Sequence, residues 1–225
     1  MTDFENALHA IPNVFVMDPS VPVSDYAAVD LSVDRIEKEG LSDPENFQTF
    51  LDNYAVSLDA VFLFGGYNEK RNLYKRSTLF HDDQTEERDI HIGLDIWADA
   101  GTSIFAALDG IVHSFNYNAG IGNYGPTIIL EHQLNGQTFH TLYGHLSTES
   151  IENLEIGDAF TKGMRLGSLG DKSVNGDYAP HLHFQIIIDM QDNFGDYPGV
   201  CSKSNLDFYL KNCPDPNLLL KLLPL

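Results

Sequence analysis

TIILEHQLNGQTFHTLYGHLS, residues 127–147, decides the fold. Two strand-like runs, Thr127–His132 and Thr138–Tyr143, flank Asn135-Gly136. An Asn-Gly pair in that setting is the strongest short-range signal for a β-hairpin, because its tight turn needs positive φ at both central residues. Working outward, Ala106–Leu108 precedes the turn dipeptide Asp109-Gly110, and Ile111–Phe115 follows it. Further on, Leu182, Phe184, Ile186 and Ile188 alternate with His181, His183, Gln185 and Ile187, the period-2 pattern of another strand. From about Val61 onward the chain therefore reads as short strands and turns. No repeat of about 20–50 residues is present, which excludes a solenoid.

The first sixty residues have a different texture. Ser42-Asp43-Pro44-Glu45 is a helix-start signal, and Phe47, Phe50, Leu51 and Tyr54 recur at helical spacing, predicting a helix over about Pro44–Val56. A weaker helix is expected over Val29–Glu39, closed by Gly40, after an extended stretch carrying Pro12, Pro19 and Pro22. The last stretch, Ser202–Leu225, reads as a docked tail with one helical turn near Asn217. The division predicted is an N-terminal helical and extended appendage (1–60), a β-domain (61–200) and a docked C-terminal tail (201–225). The appendage is either a packed cap or a segment that occludes a groove.

Composition narrows the function. The 225 residues suffice for one well-buried domain plus an appendage, and 43 % hydrophobic content is ordinary. Thirty-three acidic residues against 13 basic ones give a formal net charge of -20, which argues against a nucleic-acid groove or a polybasic membrane patch. The opening MTDFENALHAIPNV lacks the basic start and apolar run of a secretory signal, and the apolar tail Leu218–Leu225 is too short for a membrane span. Cytoplasmic residence is the expectation, unless export takes another route or a leader has been removed. Cys201 and Cys213 form no CxxC pair; either a disulfide across that loop or two free thiols is compatible with the spacing.

Five positions carry the chemistry: His91 and Asp95 in HIGLD, His145 in GHL, and His181 and His183 in PHLHF. A solvated or hydrogen-bonded structural role is the commoner fate of any single histidine, so the joint pattern is what counts. Two histidines and a carboxylate form a recurrent zinc set that leaves a coordination position open. On a straight strand His91 and Asp95 would stand about 13 Å apart, so one ion can take both only if the strand bends, and Gly93 permits the bend. His181 and His183 share one strand face at about 6–7 Å, which suits one ligand with a second imidazole beside it. Spacing alone leaves open which of the two would bind. His113, His132 and His140 fall in expected strands, and His9 and His81 in polar loops; none is assigned a role.

With these residues in place, the chain resembles the LytM/lysostaphin-type zinc metallopeptidases, most of which hydrolyse peptide bonds in bacterial peptidoglycan. The family's H-x-x-x-D matches His91–Asp95, its H-x-H matches His181–His183, and its lone histidine after an aromatic strand matches LYGHLS at Leu142–Ser147. The flanks ADAGTSIFAALDGIVHS and IGDAFTKGMRLGSLG are similar as well, so the resemblance covers about Phe62–Ile188. It implies a mainly β, compact antiparallel domain, with a small helical N-terminal appendage here. It also implies Zn²⁺ held by His91, Asp95 and His183, catalytic His145 and His181, and peptidoglycan peptides as substrate. Pro126 and the loop Gly120–Gly125 depart from the family's usual glycine-tyrosine loop, so groove specificity does not carry over. Nor are the export signal and wall-binding module of many wall-directed members evident. FGGYNEKRNLY at Phe64–Tyr74 and CPDPNLLL at Cys213–Leu220 are similar to a subgroup found beside kinase-like and aminotransferase domains.

The chemistry implied is zinc-assisted amide hydrolysis. One of His145 and His181 moves the proton, and the other helps stabilise the developing oxyanion. No glutamate adjoins the ligand motifs to serve as the base. The alternatives are a zinc hydrolase acting on an intracellular peptide or small amide, and a non-catalytic binding or regulatory domain of the same fold.

Overall fold

The computed structural model describes residues 1–41, 44–71 and 86–224. In chain order the elements begin with α1 (Asp3–Ala10), β1 (Tyr26–Ala28), α2 (Val33–Glu39) and α3 (Pro44–Leu58). The strands β2 (Phe62–Gly65), β3 (Glu69–Lys70), β4 (Ile90–His91), β5 (Leu94–Trp97) and β6 (Ser103–Phe105) follow. Three long strands come next: β7 (Gly110–Asn118), β8 (Gly125–Leu134) and β9 (Gln137–Gly144). The chain finishes with β10 (Ala159–Phe160), β11 (Arg165–Ser168), β12 (His181–Ile187), β13 (Val200–Cys201), α4 (Leu206–Asn212) and α5 (Asn217–Leu220).

The Asn-Gly turn behaves as its chemistry dictates. Asn135 and Gly136 take φ of 52° and 81°, and β8 and β9 pair without interruption from Leu134↔Gln137 to Ile128↔Tyr143. This hairpin lies within an eight-stranded sheet of order β1-β2-β5-β12-β9-β8-β7-β10. Every ladder in that sheet is antiparallel except β1 on β2, so the edge strand supplied by the N-terminal segment runs parallel to its neighbour.

The pleat sorts the core onto two faces. Leu94, Ile96, Ile128, Leu130, Tyr143, Phe184 and Ile186 pack on one face against Leu8, Val16 and Met17 and against Leu218, Leu219 and Leu220. On the other, Ile129, Leu142 and Ile187 pack against Ile90, Ile92, Met190, Tyr197 and the two buried cysteines. Fully buried side chains such as Phe139, Tyr143 and Phe184 each contribute roughly 1.5–3 kcal/mol of apolar burial. α2 and α3 add a third cluster, in which Leu31, Ile36, Phe47 and Leu51 close over Leu63, Trp97 and Ala179.

Several local expectations need correction. Ala106–Leu108 is a bend: the Ala106 N–H donates to Met164 O and the Ala107 N–H to the Tyr143 hydroxyl at 2.9 Å, so the strand stops at Phe105. α1 is a further helix, started by a reciprocal capping box between Thr2 and Glu5 with 3.2 and 2.6 Å bonds. His9 therefore lies on a helix rather than in a loop. α2 starts at Val33, not Val29, because the Val29 N–H prolongs the β1–β2 ladder by donating to Phe64 O. Gly40 does close it, at φ 67°. α4 in the tail was unexpected, whereas α5 begins at the anticipated Asn217. Cys201 and Cys213 are both free thiols. Ser42, Asp43, Asn72–Tyr74 and His81 fall outside the described residues.

Candidate active site

β5 and β12 lie side by side, with His183 opposite Asp95 and His181 opposite Trp97. These four side chains therefore share one face of the sheet. His91 arrives by another route: the chain leaves β4, breaks at Ile92–Gly93 and enters the large sheet as β5. That break turns a four-residue separation into a 3.3 Å contact between His91 Nε2 and Asp95 Oδ1. Glycine is required at the break, since a Cβ on Gly93 would stand 2.4 Å from the His183 ring.

His91, Asp95 and His183 offer ligand atoms that all lie within 4.8 Å of one another. His183 Nδ1 is 3.2 Å from Asp95 Oδ1 and 2.9 Å from His91 Nε2. Ligands at zinc distances in a tetrahedron stand about 3.4 Å apart, so the three atoms have the spacing an ion would need.

Their proton inventory fits a cation too. His91 Nδ1 lies 2.9 Å from Gly66 O, an atom that can only accept, so the proton sits on Nδ1 and Nε2 keeps a bare lone pair. His183 Nε2 lies 2.9 Å from Gln185 Oε1. The Gln185 amide nitrogen is spent on Pro198 O and Cys213 Sγ, which fixes Oε1 as the acceptor and leaves His183 Nδ1 bare. Two lone pairs and a carboxylate oxygen thus face one another with no donor among them. Burial holds the His91 pKa down at about 4, so a shared proton is a poor remedy near neutral pH. A cation relieves the repulsion, and imidazoles anchored by their far nitrogens are how proteins present metal ligands.

His145 and His181 stand at the mouth of this cluster. Their ring centroids are 4.2 Å apart, and His181 Nε2 is 3.8 Å from Asp95 Oδ1. Each is anchored at Nδ1 by a backbone carbonyl, His145 by Asn175 O at 2.8 Å and His181 by Ala179 O at 2.7 Å. Each therefore presents Nε2 as a bare acceptor when neutral. Burial lowers both pKa values, that of His145 well below the usual range with help from His181 and His183. His145 also sits in the left-handed region at φ 62°, which few non-glycine residues adopt. Burial alone would push the Asp95 carboxyl up; His91, the Arg71 guanidinium and His181 overcome it and hold the carboxyl well below the ordinary range.

Residues to which the sequence reading gave no role in the site complete the groove. Tyr124 lies against His145 and His183, with ring centroids 5.5 and 5.0 Å away. Tyr178 packs edge-on to His145 and His181. Phe47 of α3 meets Trp97, which stacks on His181, so the N-terminal segment walls one side of the site. Gln185 was readable, because two residues past His183 on a strand is the same face. Arg71 and Phe47 carried no comparable signal.

A His-Asp-His cluster opening onto a groove on a β-sheet face, flanked by two further imidazoles, is the arrangement of a mononuclear metallohydrolase. Residues 89–193 match the model of peptidase family M23, and that segment contains all five residues. Over 99 residues the chain is 34 % identical to the peptidoglycan DD-endopeptidase ShyC and 31 % identical to ShyA, both of Vibrio cholerae serotype O1. The aligned stretch is 44 % of this chain and 20 % of each relative, so the chain spans about a fifth of the length of the curated relatives it matches. The catalytic domain of the antimicrobial peptidase lysostaphin from Staphylococcus simulans is 25 % identical; the match covers 65 % of this chain and 87 % of that one, with a TM-score of 0.39. The resemblance read from the motifs stands. Among the described residues no helix is long and apolar enough to cross a membrane.

Proposed function

We propose that this protein is a zinc-dependent metalloendopeptidase that hydrolyses peptide bonds in peptidoglycan stem or cross-bridge peptides. The observation that carries the proposal is the convergence of His91 Nε2, His183 Nδ1 and Asp95 Oδ1, each bare of a proton and anchored from behind. In this reading His91, Asp95 and His183 hold the ion. A zinc ion so held supplies Lewis acidity, polarising a scissile carbonyl and bringing the pKa of water from roughly 16 towards about 7.

The other steps belong to the chain's own side chains. His145 and His181 present Nε2 to the groove and stay neutral near pH 7, so one takes the proton from the attacking water and returns it to the leaving amine. The imidazole that has taken the proton can donate a hydrogen bond to the oxygen on which negative charge develops before it passes the proton to the amine, while its neutral neighbour accepts from the water and orients it. Their Nδ1 anchors fix ring orientation throughout. Tyr124, Tyr178, Trp97 and Phe47 line the groove and limit water around the reacting amide. A peptide substrate is favoured by the two curated relatives, named as peptidoglycan DD-endopeptidases.

The test is mass spectrometry of the products released when the zinc-loaded protein digests purified peptidoglycan, with and without a chelator. Chelator-sensitive release of defined muropeptides is expected. Zinc bound with no release from several wall types would move the reading to another amide substrate.

A further inference from the structure

The Asp95 carboxylate has two oxygens, and only one of them faces the ligand cluster. Oδ1 lies 3.3 Å from His91 Nε2 and 3.2 Å from His183 Nδ1. Oδ2 turns away and accepts from Arg71 Nη1 at 2.6 Å, with both side chains only 3 % exposed. Arg71 is itself held from three directions. Its Nε donates to Glu69 Oε2 at 2.6 Å, its backbone N–H donates to Asp89 O at 2.8 Å, and its guanidinium lies 5.8 Å from the centre of the Trp97 ring. Glu69 in turn uses Oε1 to accept the Leu31 backbone N–H at 3.0 Å. A continuous chain of charge-assisted bonds, fully buried at its Arg71–Asp95 end, thus runs from the N-terminal segment through Glu69 and Arg71 to Asp95.

We propose that Arg71 is a positioning residue that holds Asp95 to ligation through one oxygen, with Glu69 anchoring Arg71 to the N-terminal segment. The inference rests on the metal-site reading above and deepens it. A carboxylate near a divalent cation takes one-oxygen or two-oxygen ligation according to what else binds its oxygens. A guanidinium N–H on Oδ2 is a strong, directional competitor for that lone pair. Gly66 leaves room for the same arrangement: a Cβ there would collide with the Arg71 guanidinium and crowd His91 Nδ1 at 3.0 Å. Glu69 and Asp95 together offset the arginine, so the chain Glu69–Arg71–Asp95 carries one net negative charge toward the cluster rather than a bare positive one beside it.

Pure structural support predicts something different from positioning. If Arg71 only braced the fold, its loss would weaken metal binding and leave the coordination of any bound ion unchanged. If it positions Asp95, its loss frees Oδ2, removes a repelling positive charge, and raises the coordination number while leaving affinity undiminished.

The experiment uses the full chain with Zn²⁺ and Co²⁺ as probes, comparing wild type, Arg71→Met and Arg71→Lys. Zinc affinity is read by chelator competition, coordination from the visible absorption of the cobalt form, and folding by circular dichroism. The expected result is that Arg71→Met binds Zn²⁺ at least as tightly as wild type while its cobalt absorption falls to about half or less. That fall is the mark of four-coordinate cobalt becoming five-coordinate. Arg71→Lys should recover part of the wild-type spectrum. An unchanged cobalt spectrum in a folded Arg71→Met protein overturns the proposal, as does weakened zinc affinity with the wild-type spectrum. Should Arg71→Met not fold, Glu69→Gln leaves the arginine in place with a looser anchor; a smaller spectral change in the same direction is then expected, and none would overturn the inference. A wild-type chain that binds neither ion removes the metal-site reading itself, a result distinct from any of these.

Discussion

His132 and the four histidines of the groove are all buried, and they differ in what they have left over. In the group on β7, β8 and β9, His132 is bonded at both ring nitrogens, to Asp109 O and to Thr141 Oγ1, each at 2.7 Å. Nearby, His113 bonds Ser114 Oγ at 2.8 Å, and His140 lies 3.7 Å from Glu131. In the groove, His91, His145, His181 and His183 are each anchored at one nitrogen and aim the other toward Asp95 or its surroundings. Burial depresses the pKa of His132 as it does those of His91, His145 and His181, so desolvation does not mark the functional group. The marker is the second nitrogen: spent on the fold in His132, held in reserve in the groove.

The largest effect expected from that difference is at the groove. His183→Ala should lose zinc and activity together. His145→Ala should keep close to one zinc per chain while kcat falls about 10²–10⁴-fold, the usual scale for a lost proton-transfer group. Metal analysis beside turnover on peptidoglycan separates the two, and a zinc-free His145→Ala protein would show that their roles are exchanged.

A smaller effect belongs to the fold-bound group. Burial lowers the His132 pKa from 6.5 to about 4. Between those values the unfolded chain binds a proton that the folded chain refuses, so stability is complete above pH 6.5 and declines as pH falls toward 4. The loss from this one group is about 3 kcal/mol. Urea titrations of metal-free protein across that window should show the decline, to which His91, His145 and His181 add, and His132→Asn should make it shallower.

Gln185 tests the anchor on its own. Gln185→Leu removes the acceptor behind His183 without touching a ligand, and zinc affinity should fall about 10–100-fold. Smallest of all, His113→Gln should leave zinc content unchanged and turnover within about twofold; a larger loss would mean that the two groups are not separate.

The sequence made the sheet legible where local chemistry and global packing agree. Asn135-Gly136 demands a tight turn, and the alternation from His181 to Ile187 demands a strand. It failed where tertiary contacts choose between local options, as when Tyr143 accepts the Ala107 N–H and ends a strand early. At α1 the signal is local, a capping box in Thr2 and Glu5. At the site, period-2 spacing places His181 and His183 on one face, and Gly93 signals the bend that brings in His91. What no spacing conveys is that Arg71 approaches Asp95 from 24 residues away, or that Phe47 of α3 walls the groove. The second contact exists only once the N-terminal segment is laid along the sheet.

The central claim concerns which nitrogens are reserved, and long-range ¹H–¹⁵N correlation of the histidine rings reads it directly. In the metal-free protein near pH 7, His91 should carry its proton on Nδ1 and His183 on Nε2. Adding one equivalent of zinc should shift His91 Nε2 and His183 Nδ1, while His132 stays unmoved. Zinc-dependent shifts at His145 in place of His183, or the opposite tautomer at His91 or His183, would contradict the account.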